Sequence, residues 1–224
     1  MFKKILLVLV VAVGGFLAFA ATRPDTYHVE RSTSIDAPAA VVFSQLENLK
    51  AWEAWSPWEK RDPAMKKTYE GPPLGVGAAY SWEGKESGAG KMTVTNSEAP
   101  RLLKLRLEFI KPFTATAAVE FKLASAGGKA TGVTWAMDGT NNLMGKVFGI
   151  FMNMDQSVGG DFEKGLAGLK TVAEAEGEKQ AAAAKAKAEA DAAAAAVVRA
   201  EAEAATRAAM EAEAASKGKA KGKK

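Results

Sequence analysis

The chain has no cysteine and a single histidine, His28, among its 224 residues. The missing thiols exclude disulfides, lipidation at an N-terminal cysteine and iron–sulfur ligation, and with only one imidazole the usual zinc ligand sets are excluded as well. A nucleotide-binding fingerprint is also lacking. Gly75-Val76-Gly77 leads into an alternating, strand-like stretch, so it has no following helix whose N-terminus would hold a phosphate. No metal and no cofactor are therefore expected. A chain without cross-links or metals must be stabilised by its core, and 48% of the residues are apolar, the level of an ordinary globular domain.

That apolar content is unevenly spread. Residues 5–21 are apolar or glycine without interruption, preceded by Lys3 and Lys4 and followed by Arg23. Such a stretch meets a membrane. Its length lies between the roughly 7–15 residues of a signal-peptide core and the roughly 17–25 of a full span. Ala18-Phe19-Ala20 offers a signal peptidase a small-x-small site, whereas the complete absence of charge suits a retained anchor, and both readings stay open. Lys3 and Lys4 favour a cytoplasmic N-terminus. The expected location is the inner membrane, with a single anchor and the rest of the chain on the extracytoplasmic side; after cleavage it would be periplasmic or secreted.

Three segments follow: residues 1–24 as anchor or signal, 25–175 as a domain, and 176–224 as a tail. The middle one holds all five tryptophans and all three tyrosines, which marks it as the part with a core. Residues 27–35 alternate as a strand, with Val29, Arg31, Thr33 and Ile35 on one face and His28, Glu30, Ser32 and Ser34 on the other. Asp36 then reads as an N-cap and Pro38 as a first-turn residue of a helix striped by Val41, Val42, Phe43 and Leu46, with a second short helix around residues 49–55. Strands are expected at 66–70, 78–83 and 91–97. The clearest strand carries Leu103, Leu105, Leu107 and Phe109 on one face and is ended by Pro112. Two more follow, lined by Ala117, Val119, Phe121 and Leu123, then by Val133, Trp135 and Met137. Short turns between them predict an antiparallel sheet. From Leu143 the apolar residues recur at threes and fours through Val172, predicting one long amphipathic helix in which Gly159, Gly160 and Gly165 mark a kink or a close approach to the sheet.

This order, together with particular phrases, resembles the helix-grip fold of the START-like (SRPBCC) superfamily, in its polyketide cyclase/dehydrase-like branch of small bacterial proteins. The phrases are Val29-Glu30-Arg31-Ser32 with Ile35-Asp36-Ala37-Pro38, Trp52 with Trp55-Ser56-Pro57-Trp58 and Asp62-Pro63, and Gly75-Val76-Gly77 with Ser81-Trp82-Glu83-Gly84. Thr134-Trp135-Ala136-Met137, Asn141-Asn142, and Met154-Asp155 leading to Asp161-Phe162-Glu163-Lys164-Gly165-Leu166 continue the match, which runs from about Tyr27 to Ala173. The resemblance implies an α+β fold: a curved antiparallel sheet wrapped around a long C-terminal helix, with a cavity for a lipid, sterol or polyketide-like molecule. The N-terminal membrane helix and the C-terminal tail are additions to it.

The candidate ligand-binding residues are Arg31, Trp55, Trp58, Trp82, Phe109, Trp135, Phe151 and Asp155. The indoles offer a large apolar face and one donor, though ordinary core packing would place them equally well. Phe148, Phe151 and Met152 on the long helix face the same choice. Arg31 shares a face with Val29 and Ile35, so it is expected to present its cation to a ligand or to a carboxylate such as Asp155, unless it forms only a surface ion pair. Catalytic groups are scarce. His28 falls on the opposite, exposed face, and Ser56 has no evident base. A cyclase or dehydratase using this cavity would need Asp155 with a raised pKa or Tyr80 with a lowered one. The leading expectation is binding or carriage of a hydrophobic small molecule, with that enzyme as one alternative.

The other alternative is an envelope scaffold acting through the tail. From about residue 177 to 215 the chain is alanine with scattered charges and almost no apolar stripe, which predicts a solvated helix or disorder. It ends with five lysines in residues 217–224, a polycation suited to an anionic envelope polymer. No aromatic or motif supports base recognition, so nucleic acid is not an expected partner.

Overall fold

The structure, a computed structural model, describes residues 2–151 and 153–221, with side chains up to residue 212. Met152 and the last three residues of the lysine-rich end lie outside the described residues. The chain forms two compact units, Met1–Gly177 and Glu178–Lys224.

The first unit begins with helix α1, Phe2–Ala21, which is long and apolar enough to cross a membrane. Strand β1, Thr26–Ile35, follows, with Val29 and Ile35 buried and the His28 face exposed, as its alternation requires. Three short helices come next: α2 (Ala39–Glu47), α3 (Trp52–Trp55) and α4 (Pro57–Arg61). Six strands then run β2 (Lys66–Glu70), β3 (Ala79–Gly84), β4 (Gly88–Glu98), β5 (Leu102–Lys111), β6 (Ala115–Ser125) and β7 (Thr131–Thr140). Helices α5 (Leu143–Phe151) and α6 (Met154–Lys221) complete the chain.

All seven strands form one antiparallel sheet in the order β1-β7-β6-β5-β4-β3-β2. Because β1 and β2 stand at opposite edges, the segment between them has to cross the whole sheet, and α2, α3 and α4 lie along that crossing. Register shifts in β4, at Ala89/Gly90 and Val94/Asn96, interrupt the ladder and curve it. The inward residues of β5, β6 and β7 meet Phe162, Leu166, Leu169 and Ala173 of α6, which are spaced four, three and four apart and form one buried stripe. The result is the helix-grip arrangement.

Two local expectations change. Asp36 does not cap α2: Pro38 holds that position, its carbonyl accepting from Val41 and Val42, while the Asp36 backbone N–H donates to Glu174. The single long helix is two helices. Asn142 Oδ1 accepts from Gly145 N–H to start α5, and Asn153 Oδ1 accepts from Gln156 N–H to start α6, so each begins at an asparagine N-cap. The glycines of α6 leave it unbroken, and Gly165, as one of its two expected readings had it, marks a close approach to the sheet, while Gly168 marks another to α3. A Cβ on Gly165 would lie 2.7 Å from Trp135, and one on Gly168 would lie 2.6 Å from the Trp55 carbonyl oxygen.

In the second unit every described side chain from residue 178 to 212 is exposed, and i,i+4 pairs such as Lys187–Asp191 at 2.7 Å lace its surface.

Candidate ligand cavity

Between the concave face of the sheet and the start of α6 is a cavity of about 310 Å³. Trp58 from α4, Trp82 from β3, Phe109 from β5 and Trp135 from β7 line it, with Leu107, Val119, Met137 and Phe162 between them. Their seating is local chemistry. Trp82 lies over Gly90, where any Cβ would collide with its ring, and its Nε1 donates to the Ser87 carbonyl at 3.2 Å. Trp135 stacks on Phe162 with ring centroids 4.1 Å apart and meets Trp58 edge-on at 5.7 Å.

The polar part of the wall is small. Arg61 of α4 donates to both carboxylate oxygens of Asp161 on α6 at 2.7 and 2.8 Å, and both residues line the cavity. Asp62 accepts from the backbone N–H groups of Glu86 and Ser87 at 3.0 and 3.1 Å, pinning the β3–β4 turn to α4; these bonds hold its carboxyl below the usual carboxylate range. Trp135 Nε1 is buried without a hydrogen-bond partner among the described residues.

Four of the expected site residues thus come together: Trp58, Trp82, Phe109 and Trp135. The other four lie elsewhere. Trp55 is buried beneath Trp135, at a centroid distance of 5.8 Å, because its Nε1 donates to the Gln45 carbonyl and ties it to the end of α2. Arg31 does reach α6, but beside the cavity. It passes over Gly159, where a Cβ would overlap the guanidinium, to Asp155 at 2.9 Å and Glu163 at 2.8 Å. Both carboxylates are exposed, so Arg31 clamps the first turns of α6 to β1. Phe151 points away from the cavity and packs on Phe16 of α1, 6.0 Å between centroids. Phe151 and Asp155 line a separate groove between the end of α1, the start of β1 and α5.

Asp155 and Tyr80 carry shifts opposite to those expected of them in a cyclase or dehydratase. Hydrogen bonds from Arg31 hold Asp155 below its ordinary value, and burial pushes the Tyr80 phenol above its own. The Arg61–Asp161 pair was not foreseen. The two residues stand 100 positions apart, and only the charge of Asp161 next to the apolar stripe of α6 hinted at a partner.

Residues 26–174 match a protein family described as polyketide cyclase/dehydrase and lipid transport. The chain belongs to this family. A search of curated proteins finds no match. Among solved structures, an aromatase/cyclase, Zhui, from Streptomyces sp. R1128 is similar at a TM-score of 0.51 and 15% identity, over 66% of this chain and 94% of that one. Protein CV1439 from Chromobacterium violaceum aligns at a TM-score of 0.49 and 14% identity, over 68% and 99%. At 15% identity the fold alone is what this chain shares with the aromatase/cyclase structure.

Proposed function

We propose that this family member binds a hydrophobic small molecule, lipid or polyketide-like, in the cavity under α6, while α1 holds it in a membrane. The cavity itself carries the reading: about 310 Å³ of space walled mainly by indole, phenyl and aliphatic groups falls at the lower end of small-molecule sites. A ligand that buries about 300 Å² of apolar surface there gains roughly 7 kcal/mol before association costs, enough for binding without chemistry. The opposed shifts of Asp155 and Tyr80 count against proton transfer by either, and an open cavity counts against a solid scaffold domain. Trp58, Trp82, Phe109 and Trp135 are the proposed ligand contacts.

Retention of α1 as an anchor is supported by its 20-residue length and by the absence of any charge from Ile5 to Thr22. With Lys3 and Lys4 kept inside, the domain would face the extracytoplasmic side.

The test is to extract the full chain from membranes in mild detergent and analyse its organic extract by mass spectrometry, alongside Val119→Trp, which fills the cavity from β6. The wild type should carry an apolar molecule near one equivalent and the variant none. A wild type that is empty and takes up nothing from a total lipid extract would sink the proposal.

A further inference from the structure

The surface beside the cavity is unusually apolar for protein that faces water. On α5, Phe148 is 47% and Phe151 78% exposed, with Leu143 and Met144 about half exposed; on the β5–β6 turn, Phe113 is 55% exposed. These residues are contiguous. Phe113 meets Phe148 at a centroid distance of 5.7 Å, which joins the turn to α5, and Phe151 meets Phe16, which joins α5 to α1. A soluble surface rarely gathers so much apolar area without something to cover it.

The contacts with α1 identify what covers it. Lys146 of α5 donates to the Ala21 carbonyl at 3.1 Å and pairs with Asp25, so that end of α5 is level with the end of α1. Phe16 lies five residues further into α1, a depth of about 7.5 Å along its axis. Phe151 is therefore carried to the same depth below the end of the spanning helix, within the roughly 5–10 Å at which interfacial helices sit. The only charge on α5 is Lys146, and its pairing with Asp25 lowers the cost of bringing it near lipid. The patch also borders the cavity. Ser157 and Val158, which line the cavity, sit one turn after Met154, itself partly exposed at the start of α6.

We propose that α5 and the β5–β6 turn are embedded in the acyl region of the bilayer that α1 spans, so that the rim of the cavity meets the membrane and its occupant exchanges directly with bilayer lipid. The inference rests on α1 being a retained anchor, and the experiment separates the two.

Because the chain has no cysteine, single cysteines can be placed at will. The full chain, carrying a nitrobenzoxadiazole label at Phe148→Cys, Phe113→Cys, Lys129→Cys or Val10→Cys, would be reconstituted in phosphatidylcholine/phosphatidylglycerol vesicles doped with lipids bearing a nitroxide on the acyl chain. Lys129 lies in the β6–β7 turn, at the opposite end of β6 from Phe113. Phe113 and Phe148 are half in solvent, so replacing them spares the core. Labels at 148 and 113 should be quenched at least threefold more than the label at 129. If they are quenched no more than 129 while the label at 10 is quenched, the anchor stands and the embedded face is refuted. If the label at 10 is also unquenched, the anchor and the inference fall together.

Discussion

The seating of α6 on Trp55 can be tested with one methyl group. Gly168 and Gly160 stand on the same helix, and a Cβ on Gly160 meets nothing within 4 Å, whereas one on Gly168 would lie 2.6 Å from the Trp55 carbonyl oxygen and 3.3 Å from its Cα. Ordinary contact begins near 3.4 Å, so α6 would have to lift from the backbone of α3 by roughly 0.8 Å, and backbone does not yield as a flexible side chain does. In a helix alanine is favoured over glycine by about 1 kcal/mol. Gly160→Ala should therefore stabilise the protein by about 0.5–1 kcal/mol. Gly168→Ala should lose more than it gains, since overpacking costs about 1–3 kcal/mol, leaving the two variants about 2 kcal/mol apart. For a domain of this size that is roughly 4–8 °C in Tm. Thermal unfolding of the full chain in detergent, followed by tryptophan fluorescence, reads it directly, because Trp52, Trp55 and Trp135 are buried in the same cluster. Equal melting temperatures for the two variants would mean that α6 does not rest on Trp55 as described.

Other outcomes follow from the same contacts. Asp62 is held below its unfolded value, so its contribution is complete above about pH 4 and is lost as pH falls through the lower folded value; Asp62→Asn should melt lower at pH 7 and show a shallower fall in Tm between pH 5 and 3, and an unchanged fall would remove Asp62 from the account. Arg31→Met should release Asp155 upward towards its ordinary value, visible in an NMR titration, and speed amide exchange over residues 155–160 but not at Leu166 or Leu169. Deleting residues 178–224 should leave the Tm within about 2 °C and the bound molecule in place, because the described side chains from 178 to 212 are all exposed; loss of the ligand would return the tail to the centre of the function.

The strands were legible because burial on one face writes itself as alternation. β1 and β5 could be read residue by residue, down to Pro112 after Lys111. The split between α5 and α6 was legible in principle but missed, since the apolar spacing runs on through the break, and only Asn142 and Asn153, each able to cap a new helix, punctuate it. The cavity was half legible. Tryptophan on an inward face says that a ring is buried, yet nothing local distinguishes Trp135, whose ring reaches the cavity, from Trp55, whose indole N–H is claimed by α2. Nor does spacing reveal the exposed apolar face of α5, because Leu143 through Phe151 reads as core until the neighbouring helix proves to be α1.

The position of β1 at the sheet's edge has a consequence for how the chain acquires its structure. β1 pairs only with β7, Val29 opposite Met137, so more than a hundred residues must be synthesised between one partner and the other. Contacts of such long range slow folding, since the loop must close before the pairing rewards it. During synthesis the first strand waits beside α1 with an open edge while the hairpins from β2 to β7 assemble one after another. The Arg31 clamp joins that same strand to Asp155 and Glu163, so it too can form only after the start of α6 has been made.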